Sequence, residues 1–469
     1  MILITALSAQ LALAPAWAEA QPCSETETGS GCDGYLVKFD SGADAPRAMT
    51  DGLDYVVDDV YRTDDRTLLA PLLKSGLVEY IEPNYIATLE DDAALASDSS
   101  DWGYAEMRAE YAKTLGLDGT GVRIAIIDSG VNESNYDLKD ANFAAGKNYV
   151  NNTNDTTDTY FHGTQVAQVI AGADNGVGVT GLAPGATIVP LKCFSTKNDG
   201  TIANIVRAIN DAVSDTFDCQ VINMSLALAN DSATLREAIA AASDAGVVLV
   251  AAAGNISSGT SSGNDALVYP AAYDNVIAVG AVNSALTVAS ISRQNSSVDV
   301  CAPGAGITFS AYDDTTGTNT KTDSGTSFSA PYITACAALA KQANPSLTSA
   351  DAEALFRGRA EDLGDAGRDN AYGCGFVRLD NVFSSSWCRL KTASDGTASI
   401  EGFFRGDGGG TAAAAVYAAT GRFITAGTAA VSHDVGAIHI AIVLPGDYAE
   451  VKMFFLSAAY VPVGSVMTL

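Results

Sequence analysis

From Gly121 onward the sequence alternates two kinds of apolar run, and no other feature narrows the fold so far. The strand-like runs VRIAIID, TIVPLKCF, CQVINMSLA, VVLVAAAG and VIAVGAV are interleaved with TQVAQVIAGA, IANIVRAINDAV and SATLREAIAAASDAG, which read as helices. Alternation of β and α at this spacing predicts an α/β domain, a mainly parallel sheet covered by helices on both faces. Ligands of such sheets bind beyond the carboxyl ends of the strands, so that rim is the place to seek chemistry. A further helix is expected over about Thr326 to Ala343, and Thr348-x-x-Asp351 after Pro345 has the form of a helix start.

At 469 residues the chain is long enough for roughly two to four folding units, and its two ends differ in pattern from the α/β stretch. Gly34 to Leu89 reads as a strand (YLVKF), a polar middle, a helix (RTLLAPLLKSG) and a strand (LVEYIEPNYIATL), a small α+β unit. Glu90 to Asp101 (EDDAALASDSSD) is acidic, rich in Ser and Ala, and reads as a linker. From about Cys388 to Leu469 short alternating runs (AAAAVYAAT, RFITAGTAAVS, AIHIAIVL, YAEVKMFFLS) predict an all-β module. Residues Ile2 to Trp17 are apolar or small and end in Ala16-Trp17-Ala18, the small-x-small pattern read by a signal peptidase. Residues 1–18 are therefore expected to be a signal peptide and the protein to be secreted, with a buried core helix as the alternative because no Lys or Arg precedes Lys38. No later run is long and apolar enough to span a membrane.

Charge and thiols exclude several partners. Lys plus Arg is 26 against 55 Asp plus Glu, a formal charge of −29 that repels nucleic acid and anionic membranes. Glu19 to Ser100 carries 5 basic and 18 acidic residues, more than its share, which marks it as a separate unit. Of the 8 Cys, Cys193, Cys301 and Cys336 sit inside apolar runs and read as buried free thiols. Cys23 with Cys32, and Cys374 with Cys388, are close enough in sequence to close short disulfide loops. No Cys/His cluster points to zinc.

Only three His occur, and His433 and His439 lie in the terminal module, so an imidazole base for the α/β domain must be His162, at the start of a helical run. Asp128 ends the run RIAII, where a parallel strand reaches the rim and a carboxylate can orient an imidazole. Ser327 lies in the small-residue turn SGTSFSAP at the entry to an apolar helix, where free backbone N–H groups can receive an oxyanion. Each taken alone has a plainer reading: a structural histidine, a loop carboxylate, a capping serine. The turn is not a G-x-S-x-G elbow, which disfavours an α/β-hydrolase.

The order Asp128, His162, Ser327, with IAIIDSGVN, HGTQVAQVIAG, GLAPGATIVPLK, VINMSLA, VVLVAAAGN, VYPAAYDNVIAVGAV and GTSFSAP, resembles the subtilisin-like (subtilase) serine proteases over about Trp102 to Asn381. The resemblance implies Ser327 as nucleophile, His162 as general base and then acid, Asp128 as orienting carboxylate, and Asn255 as side-chain donor to the oxyanion. It places Ser225, Leu226 and Ala227 on one substrate-pairing edge, and Gly200, in Asn198-Asp199-Gly200, on the other. Val268 falls where many members have Gly at the floor of the primary side-chain pocket, which implies a shallow pocket for small or medium apolar residues. Phe328 stands where the family usually has Met. Asp137 and Asn175 match positions that supply calcium oxygens in many members, and solvated surface polar groups are an equally good reading of both.

The early segment resembles the family's inhibitory prodomain, removed between about Glu90 and Asp101. The expected organisation is a signal peptide (1–18), an inhibitory prodomain with linker (19–100), a subtilisin-like catalytic domain (101–387) and a β-rich accessory module (388–469). The implied function is a secreted serine endopeptidase, matured by prodomain removal and acting on polypeptides through an acyl-enzyme. The chemistry needs no cofactor, and structural calcium is an open expectation. An inactive peptide-binding protein on the same frame and an ester or amide hydrolase are the alternatives. Retention of Asp128, His162, Asn255 and Ser327 argues against the first; the extended substrate edge argues against the second.

Overall fold

The computed structural model describes residues 31–41, 47–90, 102–175, 178–256, 263–311, 315–316, 319–392, 397–405, 410–418, 420, 423–431, 435–444, 448–457 and 467–468. The expected signal peptide and nearly all of the expected linker lie outside the described residues.

The chain divides into two compact units, one containing residues 31–84 and the other 85–469. In the first, β1 (Cys32–Phe39) pairs antiparallel with β3 (Val60–Thr63), which pairs with β2 (Asp54–Val57). Helices α1 (Arg47–Thr50) and α2 (Leu69–Lys74) complete it. Tyr35, Val37, Phe39, Leu69, Leu72 and Ile81 pack together as its core, so the YLVKF strand and the LLAPLLK helix are held by their apolar faces. Asp33 ties the edge down, accepting from Arg62 Nη2 at 2.8 Å, while Asn84 Nδ2 donates to the Asp33 carbonyl at 2.9 Å. The polar middle of the sequence reading is the β2–β3 hairpin, turned at Asp58 with φ 41°. The last strand of the segment, β4 (Val78–Leu89), continues from Tyr85 into the second unit.

The second unit is the α/β domain with the β-rich module. After α3 (Trp102–Glu106) and α4 (Ala109–Thr114) come β5 (Arg123–Asp128), β6 (Asn142–Phe143), β7 (Lys147–Asn148), α5 (His162–Ala171) and β8 (Thr187–Lys192). Then follow β9 (Gly200–Thr201), α6 (Ile202–Val213), β10 (Val221–Met224), β11 (Leu226–Ala227), α7 (Ala233–Asp244), β12 (Val248–Ala252), β13 (Val276–Val282) and β14 (Val300–Pro303). The main sheet runs β14-β13-β12-β10-β5-β8-β6, with β7 also on β8, and every pairing is parallel. Its central strands are buried at every residue from β10 through β14, as expected for a sheet covered on both faces. A hairpin of β15 (Ile307–Ser310) and β16 (Thr320–Asp323) leads into α8 (Thr326–Ala343), followed by α9 (Ser349–Arg359) and α10 (Leu379–Val382). Thr348 and Asp351 form the capping box that starts α9. Helix α8 is buried along nearly its whole length, so its small apolar residues pack on the sheet rather than alternate with polar ones.

The terminal region forms two antiparallel sheets, β17 (Trp387–Thr392), β18 (Thr397–Arg405) and β21 (Val435–Val443) in one, and β20 (Phe423–Val431), β19 (Gly410–Ala418), β22 (Tyr448–Ser457) and β23 (Met467–Thr468) in the other. Ile400, Ile438 and Ile440 of the first pack with Ala412, Val416, Val451 and Met453 of the second in one core. Phe403 faces away from that core and joins the α/β core, 5.4 Å from the ring of Phe383.

The cysteine expectation is half corrected. Cys193, Cys301 and Cys336 are buried free thiols, and Cys32 is disulfide-bonded to a residue outside the described ones. Cys374 and Cys388 do not form a bridge: neither is part of a disulfide. Cys374 sits in the turn Gly373–Gly375, its N–H donating to the Asp299 carbonyl at 2.7 Å and its thiol beside Arg357. Cys388 is buried on β17 in the core of the β module. Each is fixed by different packing, and nearness in sequence does not supply the close approach a disulfide needs.

Candidate active site

The strand order reverses at β5, with β8 on one side and β10 on the other, so the crevice of this sheet opens beyond Asp128, the last residue of β5. Asp128 and His162 are fully buried, and Oδ1 and Oδ2 of Asp128 lie 2.8 and 2.9 Å from Nδ1 of His162. A carboxylate only accepts, so Nδ1 carries the proton and Nε2 of the neutral ring keeps its lone pair. Burial pushes the Asp128 carboxyl up, while His162 and the Ser129 N–H, 2.7 Å from Oδ1, pull it back. The close approach depends on Gly163, where a Cβ would fall 2.1 Å from the Gly130 carbonyl and 3.1 Å from Asp128.

Helix α5 begins at His162, and its first N–H groups are anchored by side chains from outside the helix. Asp158, almost fully buried, accepts from the N–H groups of Tyr160 (2.9 Å) and Phe161 (2.8 Å) and from Ser129 Oγ (2.9 Å) through Oδ1. Its Oδ2 accepts from the N–H (2.9 Å) and Oγ1 (2.6 Å) of Thr164. Ser129 Oγ in turn accepts from the Gly163 N–H at 2.9 Å. Orphan donors at a helix start need such partners, and these fix the imidazole at the end of β5. Sequence reasoning did not single out Asp158: it lies four residues before the helix start, outside the N-cap position, which Phe161 occupies without a side-chain oxygen.

Ser327 is the second residue of α8. Pro331 has no N–H, so it cannot satisfy the Ser327 carbonyl one turn back. That carbonyl accepts instead from Ser225 Oγ at 2.7 Å, and Asn223 Nδ2 donates to the same hydroxyl at 2.9 Å. The end of β10 is thereby tied to the start of α8. Phe328 packs its ring 5.6 Å from that of His162 and 4.9 Å from that of Phe309. Asn255, beyond the end of β12, accepts through Oδ1 from the N–H (3.0 Å) and Oγ1 (2.9 Å) of Thr326. This fixes the amide orientation and leaves Nδ2 buried without a hydrogen-bond partner among the described residues.

A stretch of the chain lies along this rim. Ile86 and Ala87 pair antiparallel with Thr201 and Gly200, and Thr88 and Leu89 pair with Ala227 and Leu226. Leu89 N–H donates to the Lys197 carbonyl at 2.9 Å, and Glu90 N–H to the Ser225 carbonyl at 3.4 Å. The Glu90 carbonyl accepts from the Ser327 N–H at 3.3 Å and from the Ser327 hydroxyl. Its carboxylate accepts from the Asn255 N–H. An extended peptide is thus held between two edges with one carbonyl delivered to a serine. The site brings together Ser225, Leu226, Ala227, Gly200, Asn255 and Ser327 around this segment, while His162, held by Asp128, packs against Phe328, the neighbour of Ser327; Val268 is buried against Gly254.

Away from the rim, Asn175 Nδ2 donates to Asp137 Oδ1 at 3.0 Å, and Asp137 is buried. No group of three or more His, Cys, Asp or Glu suited to a metal occurs among the described residues, and none of their helices is long and apolar enough to cross a membrane.

Residues 119–375 match the profile of the Subtilase family. The minor extracellular protease Epr of Bacillus subtilis (strain 168) is 32% identical over 72% of this chain, which spans about half (52%) of that relative. Subtilisin DY of Bacillus licheniformis is 36% identical over 60% of this chain and 97% of its own length. Subtilisin E of Bacillus subtilis (strain 168) is 34% identical over 67% of this chain and 78% of its own.

Proposed function

The chain belongs to the subtilase family of serine endopeptidases, and from that premise we propose that it is a secreted enzyme that matures by cutting its own chain after Glu90. The observation that carries the proposal is the Glu90 carbonyl on the N–H and hydroxyl of Ser327, with residues 86–89 paired to both edges of the rim.

Ser327 Oγ attacks the carbonyl carbon of the residue before the cleaved bond, and its proton passes to Nε2 of His162. Asp128 holds the proton of Nδ1 and stabilises the imidazolium that forms. The oxyanion is received by the Ser327 N–H and by Asn255 Nδ2, the amide left without a partner among the described residues. His162 returns the proton to the leaving amine, the C–N bond breaks, and water repeats the sequence on the acyl-enzyme. Residues up to Glu90 act as an inhibitory prodomain whose tail remains in the cleft after cleavage, blocking it as a product. Secretion is supported by the apolar start of the sequence, the disulfide at Cys32 and the extracellular protease among the relatives.

Calcium stays a structural proposal outside the chemistry. Asp137 and Asn175 offer a carboxylate and an amide oxygen of the hard kind calcium takes, and Gly178 leaves room where a Cβ would fall 2.1 Å from Asp137 Oδ2.

Expression of the full chain beside Ser327→Ala tests the function. The wild-type chain is expected to shorten, with a new N-terminus at Asp91, and to release labelled peptides, while the variant stays intact and inert. A wild-type chain that remains full-length and silent overturns the reading.

A further inference from the structure

The residue whose carbonyl rests on the Ser327 N–H and hydroxyl carries a carboxylate, not the small or medium apolar group that Val268 implies. We infer that this protein cleaves after acidic residues, glutamate foremost, with Arg293 as the specificity-determining residue. The inference rests on the reading that Glu90 occupies the position before the cut.

The pocket is built from three strands of argument that meet at one peptide. The Glu90 carboxylate accepts from the Asn255 N–H, so it turns inward along the wall formed by Gly254 and Asn255. At Gly254, with φ +96°, an added Cβ would fall 2.7 Å from Val268 Cγ2, 3.0 Å from Arg293 Cδ and 3.3 Å from Arg293 Nε. Val268 and the guanidinium end of Arg293 therefore close over the residue adjoining the amide that holds the carboxylate. Arg293 is fixed there: its N–H donates to the Gly254 carbonyl at 3.0 Å, and Ser292 and Asn255 form an antiparallel bridge. Arg293 is only 7% exposed, and its Nη1 donates to the Gly263 carbonyl at 2.8 Å, which holds the side chain against this wall.

A guanidinium shielded from water acts on a nearby carboxylate far more strongly than one at the surface, because little solvent screens the pair. Val268 shortens the pocket, so a glutamate can place its charge within the influence of Arg293 while a large ring is excluded. Gln has the same shape as Glu and lacks the charge, which makes the Glu to Gln ratio a direct reading of Arg293. Such a preference also accounts for Glu90 at the end of the segment that occupies the cleft, since self-cleavage must satisfy the same pocket.

The test uses the full chain after maturation and fluorogenic peptides Ala-Thr-Leu-X, which copy residues 87–89, with X as Glu, Asp, Gln, Leu or Phe. kcat/KM after Glu is expected to exceed that after Gln by about tenfold or more, equivalent to about 1.4 kcal/mol. In Arg293→Met that ratio is expected to fall to about one, and in Arg293→Lys to lie between the two. Because the ratio is taken within each protein, it does not depend on how much of a variant folds. Should Arg293→Met yield no soluble chain, the wild-type ratio and Arg293→Lys still decide. Preference for Leu or Phe over Glu in the wild type overturns the inference and leaves the protease reading standing. An unchanged ratio in Arg293→Met overturns the role of Arg293. Failure to cut any of the five peptides, with the wild type indistinguishable from Ser327→Ala, overturns the protease reading and this inference with it.

Discussion

Replacing Asp158 by Asn removes one charge and one acceptor from beneath the helix that carries His162, and the structure allows its cost to be worked out atom by atom. Oδ1 can keep its three donors, Ser129 Oγ, Tyr160 N–H and Phe161 N–H. The new amide nitrogen replaces Oδ2 and faces the Thr164 N–H, a donor against a donor. Thr164 Oγ1 can rotate to accept from the amide, because a hydroxyl both donates and accepts. One buried backbone N–H therefore loses its partner, at about 1–3 kcal/mol, and the remaining bonds lose their charge assistance, for a total of about 3 kcal/mol. For a domain of this size that corresponds to a fall in Tm of roughly 5–10 °C, measured by calorimetry in a Ser327→Ala background where no chain is cut. In the active background kcat is expected to fall about tenfold, with KM little changed, because the imidazole is displaced while the substrate edges are untouched. A Tm within about 1 °C of the parent would refute the claim that Asp158 anchors the start of α5.

Asn255→Ala removes the amide whose Nδ2 has no partner among the described residues and should lower kcat by about 10² to 10³ with little effect on KM, a magnitude known from subtilisin rather than derived from this geometry. A matching loss in KM alone would place Asn255 in binding and not in oxyanion stabilisation. Asp299 gives the clearest pH dependence: burial pushes its carboxyl from an ordinary 3.8 up to about 6, against the pull of the Ala278 N–H. The folded chain keeps this proton after the unfolded chain has lost it, so the stabilisation is complete below pH 3.8 and is lost as pH rises through about 6. The loss is worth about 3 kcal/mol at most. Asp299→Asn should therefore gain Tm relative to wild type at pH about 7.5 and not at about 4.5, and a difference independent of pH would contradict the burial argument.

The parts of the fold legible in the sequence are those whose burial leaves a periodic trace. Helix α8 has the expected bounds, Thr326 to Ala343, because small residues open it and Asn344-Pro345 ends it. The strands β5, β8, β10, β12 and β13 coincide with apolar runs because both faces are covered. The β2–β3 hairpin was not legible: its strands have four residues each and are partly exposed, so no run of one period forms. Asp128, His162 and Ser327 could be read as candidates because each stands where a strand ends or a helix begins, whereas Asn255, three residues beyond β12, was marked only by the family resemblance.

What the sequence withheld is which carboxylates and cations leave water. In a chain with 55 acidic residues, Asp158 and Asp299 look like any other loop aspartate, yet both are buried and each is held by backbone N–H groups. Their donors come from the chain just beyond Asp158 and from β13, and the second reaches Asp299 only through the sheet. Arg293 is hidden for the same reason, since it meets Gly254 through the bridge between Ser292 and Asn255, a contact no local periodicity encodes. Glu90 completes the case: as a residue in an acidic linker it reads as solvated, and its carboxylate acquires a role only when the edges at Gly200 and Leu226 hold the segment before it. The chemistry of peptide hydrolysis is thus marked by element ends, which sequence patterns reveal, whereas selectivity depends on a charge brought beside the cleft by strand pairing, which they do not.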